Sequence, residues 1–358
     1  MKTRAAIAFS PEGDLVIHDV DLAEPGPGEV RVRMQACGIC RSDLSVLEGK
    51  ETVEFPVVLG HEGAGVIDAL GPGVENLSRG EPVILSWTPA CGDCPGCLRG
   101  EYQLCEGINM TTGSTGPLAL NGRALDRFMG LGAFAEHVVV PAAMAVPVSA
   151  EMEPAHRCLI GCAVTTGFGA AVNTAGIRWG ESVAVFGCGG VGLAAIQGAR
   201  VAGAARIFAV DPIADRRQAA MASGATEALD KDGAVKQILQ ATAGGVDVAI
   251  ECVGQPATMT DAFNSIRAGG RSIVVGLPAY TEMVELPAIM LLREKSIQGS
   301  VYGSSNPRID FQKIAALGER GALRFDVLVD KQRPFTEVNE GMAEMREGRL
   351  TRVVLTFD

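Results

Sequence analysis

Positive charge is in short supply in this chain: 31 Lys and Arg stand against 42 Asp and Glu, a formal net charge of −11 with four neutral His. A phosphate backbone would be repelled overall, so no nucleic-acid partner is expected. No apolar stretch approaches the ~20 residues needed to span a bilayer, so no membrane partner is expected either. The start, Met1-Lys2-Thr3-Arg4 and a brief apolar run, is too short for a signal peptide, and a cytoplasmic location is expected by default. Aromatics make up only 5% of residues. Internal repeats, low-complexity tracts and polar linkers are lacking, and the 45 Gly follow no Gly-x-y period, which excludes collagen.

What is present is a chain of 358 residues, 47% hydrophobic and 20% charged. That length fits two domains, and that composition excludes disorder as the main state. Ten Cys are unusual for a reducing compartment, where a disulfide framework does not persist. Clustered thiols should therefore be metal ligands or catalytic groups.

The first ~160 residues read as short strands broken by Gly and Pro, at 30–34, 63–69, 82–85 and 134–140. This predicts a barrel-like, mainly-β region with Cys-rich loops. From Gly180 the period changes. Apolar strands at 183–186, 207–211, 246–251 and 272–276 alternate with helical runs at 191–202, 214–222 and 257–267. Such alternation predicts βαβ units around a parallel sheet. After Ser300 the mixed pattern reads as a return to the first domain.

Gly187-Cys-Gly189-Gly190-Val191-Gly192 matches G-x-G-x-x-G and sits between a strand and a helix. The first glycine permits the turn, the second lets a pyrophosphate reach the backbone, and the third lets helix pack on sheet. The helix N-terminus then faces the phosphates. Asp211 closes the next strand, about where the fingerprint places the acid that accepts from ribose hydroxyls. A carboxylate there would repel a 2′-phosphate, which favours NAD over NADP. Arg216 and Arg217 weaken that preference slightly.

Cys91-x2-Cys94-x2-Cys97-x7-Cys105 can wrap one tetrahedral ion with four thiolates and no open position. An iron–sulfur cluster is the competing reading. The late fourth Cys, without a following Pro, favours zinc. Cys40, His61 and Cys162 stand apart, and spacing alone cannot join them into one site.

Taken in order, Cys40-Arg-Ser-Asp, Gly60-His-Glu-Gly-Ala-Gly65, the four-Cys loop, Cys162 and the glycine loop resemble the zinc-dependent medium-chain alcohol dehydrogenase family along essentially the whole chain. The resemblance implies an α/β fold. Residues 1–163 and 301–358 would form a barrel-like, GroES-like catalytic domain, and 164–300 a doubly wound Rossmann domain for NAD. It implies two zinc ions per chain: a catalytic one on Cys40, His61 and Cys162, and a structural one on the four-Cys loop.

Further roles follow from the same resemblance. Glu62 would approach the metal during ligand exchange, Asp43 would orient His61, and Ser42 would relay the alcohol proton. Arg41, Arg352 and Val275 would lie against the cofactor, with the glycine loop, Asp211 and Arg216. Trp87, Phe128, Met129 and Leu277 would wall an apolar substrate pocket. Many members carry a proton-accepting His where this chain has Ser45, which cannot act as a base near neutral pH. The implied reaction is reversible oxidation of a primary alcohol, aryl, allylic or of medium length, with hydride transfer to NAD. Two alternatives stand beside it: a dehydrogenase acting on S-hydroxymethyl thiol adducts, and a non-enzymatic zinc- and nucleotide-binding structural protein. A homo-oligomer is expected, dimer over tetramer, partly because segment 106–132 looks like that of dimeric members.

Overall fold

The computed structural model describes residues 1–51, 53–107, 116–348 and 350–358. Part of segment 106–132 therefore lies outside the described residues. The chain forms two compact units, one of Met1–Cys162, Asn306–Gly321 and Val329–Asp358, the other of Ala163–Ser305 and Ala322–Leu328.

The first unit is built on two sheets. One centres on Lys2–Ala8, antiparallel to Val16–Leu22. The other centres on the long strand Glu29–Gly38, which carries Glu62–Leu70, His137–Pro141 and Val353–Thr356 as antiparallel neighbours. Its alternation is that of a strand with one buried face: Val30, Val32 and Met34 are fully buried, while Arg31 turns outward to Glu24 and Asp68. Register shifts near Arg31/Val32 and Met34/Ala36 bend the strand, and its end pairs Gly38 with Glu62. Cys40 and His61 thus leave the paired ends of two neighbouring strands. The strand expected over 134–140 begins only at His137. Phe134 and Ala135 are instead used by the other sheet, through Ala6 N–H to the Phe134 carbonyl (2.9 Å) and a bridge between Ala5 and Ala135.

The second unit holds a six-stranded parallel sheet. Its spatial order is Glu227–Leu229, Arg206–Val210, Ser182–Phe186, Val246–Glu251, Ile266–Val274 and Ser296–Gly299. The order reverses at Ser182–Phe186, as in a doubly wound dinucleotide fold, so the ligand crevice belongs at the carboxyl ends of that strand and Val246–Glu251. Phe186, Phe208, Ile238, Phe263 and Ile266 fill the core on one face. The helix expected over 257–267 stops at Ser265, because buried Ile266 turns extended and already pairs with Val246. The strand expected at 272–276 accordingly begins earlier and ends at Val274. Among the described residues, no helix is long and apolar enough to cross a membrane.

Candidate active site and dinucleotide loop

Cys40 caps the short helix Arg41–Leu47, and Asp43 in its first turn reaches back to accept from the Cys40 backbone N–H at 2.9 Å. The other Asp43 oxygen accepts from Gly60 N–H at 3.0 Å and lies 3.2 Å from His61 Nδ1. One buried carboxylate therefore joins both strand ends and fixes the tautomer that leaves His61 Nε2 facing inward. Gly60 is held at φ +88°, where a Cβ would also sit 2.5 Å from the Phe134 ring, so only glycine fits before His61. Cys162 approaches from the wide π-turn Ile160–Val164, a type of helical bulge common at functional sites.

Ligand atoms of Cys40, His61, Glu62 and Cys162 all lie within 4.8 Å of one another, and all four residues are buried. The residues that spacing could not join are thus brought together. Glu62 has its Oε1 3.4 Å from Arg352 Nη2, and Arg352 also donates to the Ile39 carbonyl at 2.7 Å. Gly38 leaves the room for this carboxyl, since a Cβ there would lie 2.2 Å from Glu62 Oε2.

Burial pushes the Glu62 carboxyl up to about 8, although Arg352 opposes the shift. The Cys40 thiol falls well below its ordinary range, chiefly through the hydrogen bond from Cys162, with Arg352 and His61 adding to it. His61 is raised well above its usual value: burial opposes its charge, but Asp43 and Cys40 outweigh that. His61 Nε2 itself is buried without a hydrogen-bond partner among the described residues, and two thiols stand beside it. An orphaned imidazole nitrogen with two sulfurs fits the donor chemistry of an open zinc site.

The four-thiol loop fits a second ion. Sulfurs bound about 2.3 Å from a tetrahedral centre lie roughly 3.8 Å apart, and the Sγ–Sγ distances are 4.0 Å for Cys91–Cys97 and 3.9 Å for Cys94–Cys105. Backbone N–H groups of Cys97 and Glu106 point at Cys94 Sγ (3.4 Å each) and pull its thiol down to about 6. Cys97, by contrast, is pushed up to about 12 by burial. The ten cysteines are all free thiols. Cys37 and Cys158 are buried, and burial raises both thiols well above their ordinary range.

At the glycine loop, Gly187 has φ +90° and Gly189 caps helix Gly190–Val201. A Cβ on Gly192 would fall 1.8 Å from the Gly187 carbonyl, the close helix–loop packing that its motif position predicts. Asp211 accepts from Cys188 N–H (2.8 Å) and Ile213 N–H (2.9 Å), so it braces the loop as well as closing its strand. Arg217 is tied to the Asp211 carbonyl and to Asp230, while Arg216 is half-buried.

With this geometry in place, comparison with known proteins decides the family. Residues 26–150 match the family described as alcohol dehydrogenase GroES-like domain, and residues 190–320 match zinc-binding dehydrogenase. The S-(hydroxymethyl)glutathione dehydrogenase of Photobacterium damsela subsp. piscicida is 36% identical over the full length of both chains. The chain belongs to the zinc-dependent medium-chain alcohol dehydrogenase family. Another relative of this dehydrogenase, alcohol dehydrogenase class-3 of Myxine glutinosa, is 35% identical across 98% of the chain and 97% of its own length. The crystal structure of benzyl alcohol dehydrogenase from Acinetobacter calcoaceticus covers all of both chains with TM-score 0.95 and 30% identity. The dehydrogenase is an NAD-dependent oxidoreductase, and its cofactors are zinc and NAD.

Among the remaining expected residues, Ser42 Oγ lies 3.6 Å from Cys40 Sγ. Phe128 stands edge-on to the His61 ring, with centroids 5.5 Å apart. Trp87 is buried, and Met129 takes the left-handed conformation at φ +52°. Leu277 is 63% exposed, and Arg41 pairs at the surface with Glu48. Sequence reasoning missed Glu251. The one available signal was a charge closing the apolar run Val248–Ile250.

Asp43→Asn is expected to cut zinc affinity at this centre or turnover by about 10- to 100-fold, because an amide cannot accept from both sides as the carboxylate does. Zinc titration of the variant beside the parent checks it.

Proposed function

We propose that Cys40, His61 and Cys162 hold the catalytic zinc, that the four-thiol loop holds a second, and that this centre removes hydride from a hydroxymethyl carbon, taking a free alcohol to the aldehyde or an S-(hydroxymethyl) thiol adduct to the S-formyl thioester. The observation carrying the reading is the buried, orphaned His61 Nε2 beside two thiols. Zinc there supplies a Lewis acid that acidifies the alcohol hydroxyl, and NAD supplies the hydride acceptor. Asp43 orients His61, and Phe128 covers the flank of its ring against water. Ser42, beside Cys40, takes the alcohol proton. Ser45 offers no base beyond it, so the proton passes to water. Asp211 and the glycine loop hold NAD, with Val275 beside it.

For the substrate, we favour an S-(hydroxymethyl) thiol adduct. Full-length relatives at 35–36% identity carry that name, which supports this reading over a free alcohol. A free aryl alcohol is the second reading, favoured by Phe128 and Trp87 near the centre and by the benzyl alcohol dehydrogenase likeness. NADH formation from formaldehyde with and without glutathione, beside benzyl alcohol, separates the two. Strict thiol dependence is expected. Thiol-independent turnover fastest on benzyl alcohol would replace the first reading by the second.

Ser42→Ala is expected to slow hydride transfer severely while zinc content stays unchanged. Single-turnover NADH formation with metal analysis tests it, and normal turnover would remove Ser42 from the relay.

We also propose a homodimer working in a reducing compartment. The outer strand Ser296–Gly299 carries no charged side chain, unlike the guarded opposite edge at Glu227–Leu229, and Leu291 and Leu292 beside it are exposed. Light scattering is expected to give twice the chain mass of 37.2 kDa.

A further inference from the structure

Three loops meet at the carboxyl end of the parallel sheet: the glycine loop after Ser182–Phe186, the segment after Val246–Glu251 and the segment after Ile266–Val274. All belong to the second unit. One residue joins the latter two. The Glu251 backbone carbonyl accepts from Val275 N–H at 2.8 Å and Gly276 N–H at 3.1 Å. Its side-chain Oε1 accepts from Val253 N–H and Gly254 N–H at 2.8 Å each, and from the Thr258 hydroxyl at 2.7 Å. Five donors therefore converge on a single fully buried acid.

The loop shaped in this way has no slack. Val253 lies against the glycine loop, where a Cβ on Gly187 would come within 2.6 Å of its Cγ2. On the other side Gly254 abuts the segment after Val274: a Cβ on Gly276 would fall 2.0 Å from Gly254 N. The Val253 side chain packs on Gly187 on one flank and backbone meets backbone on the other, so a shift of Val253–Gly254 is passed to its neighbours. Asp211 braces the glycine loop from the opposite side through Cys188 N–H. The crevice for a dinucleotide in a doubly wound sheet lies at this switch point.

We propose that Glu251 is a positioning residue for dinucleotide binding: by clamping Val253–Gly254 against Gly187, it sets the width of the crevice that receives NAD. The working part is acceptor reach. Oε2 is buried without a partner among the described residues, and only Oε1 collects donors. Glutamine keeps an acceptor oxygen at the same distance along the side chain. Aspartate keeps the charge but is one methylene too short to reach Val253 and Gly254 N–H.

The test is an NADH fluorescence titration of the zinc-loaded full chain, which reads binding without turnover, together with KM for NAD, kcat and melting temperature. For Glu251→Gln, Kd is expected within about threefold of the parent. For Glu251→Asp and Glu251→Ala, Kd and KM for NAD are expected to rise about tenfold or more, with kcat at saturating NAD falling less and zinc content unchanged. Thr258→Val removes one donor at a half-buried position and should raise Kd a few-fold even if the larger changes prevent folding. A lower melting temperature with unchanged Kd in the Asp and Thr258 variants would reduce Glu251 to a structural prop and overturn the proposal. Equal impairment by Gln and Ala would overturn it in favour of a role for charge.

Discussion

Replacing His61 with alanine is expected to lower kcat/KM by at least about a thousandfold while the chain still folds. His61 contributes the one nitrogen of the donor cluster, and its Nε2 finds no other partner among the described residues. Without it, two thiols and the Glu62 carboxyl remain. That carboxyl already faces Arg352, with Oε1 3.4 Å from its Nη2. Lewis-acid stabilisation is worth several kcal/mol, and a loss of roughly 4 kcal/mol is about a thousandfold in rate. The fold is expected to survive because Asp43 keeps its bonds from Cys40 N–H and Gly60 N–H. Zinc per chain and NADH formation, measured on one sample, give the answer. One zinc retained with activity lost is the expected outcome; near-normal turnover would end the assignment of His61 to the metal.

Cys97→Ser is expected to act on the other centre and in the other way. Cys97 is, with Cys105, one of two buried members of the four-thiol loop and sits in its short helical turn Pro95–Leu98. With three thiols left, the loop loses its ion, and structural zinc sites contribute directly to folding energy. A local loss of about 3–5 kcal/mol translates to a melting temperature lower by about 5 °C in a chain of this size. Turnover measured well below that temperature should stay within a few-fold of the parent, because none of the residues around His61 belongs to the loop. Loss of turnover in cold, folded protein, with melting unchanged, would contradict the assignment of this ion to structure.

The sequence made some of this legible and hid the rest for identifiable reasons. The parallel sheet was readable because both faces of its strands are buried, leaving continuous apolar runs such as Val183–Phe186 between glycine signals. The four-thiol loop was readable because its ligands are local. Cys40, His61 and Cys162 were not readable by spacing, since strand pairing and a π-turn bring them together, and only the ordered set of motifs linked them. The Asp43 contacts follow from that pairing. Glu251 was hidden because its partners are mostly backbone N–H groups, which leave no trace in residue type. Helix Pro256–Ser265 ended early because buried Ile266 was needed by the sheet more than by the helix pattern.

The two donor sets also differ in when they can come into being. Cys91 and Cys105 are 14 residues apart, and closing so short a loop costs little entropy, so a nascent chain can capture the first ion soon after that stretch is made. The set around His61 cannot exist until Cys162 has been synthesised and strands Glu29–Gly38 and Glu62–Leu70 have paired. On the proposed assignment, metal loading would be vectorial: the four-thiol loop could take its ion during synthesis, and the set around His61 only after its sheet has closed.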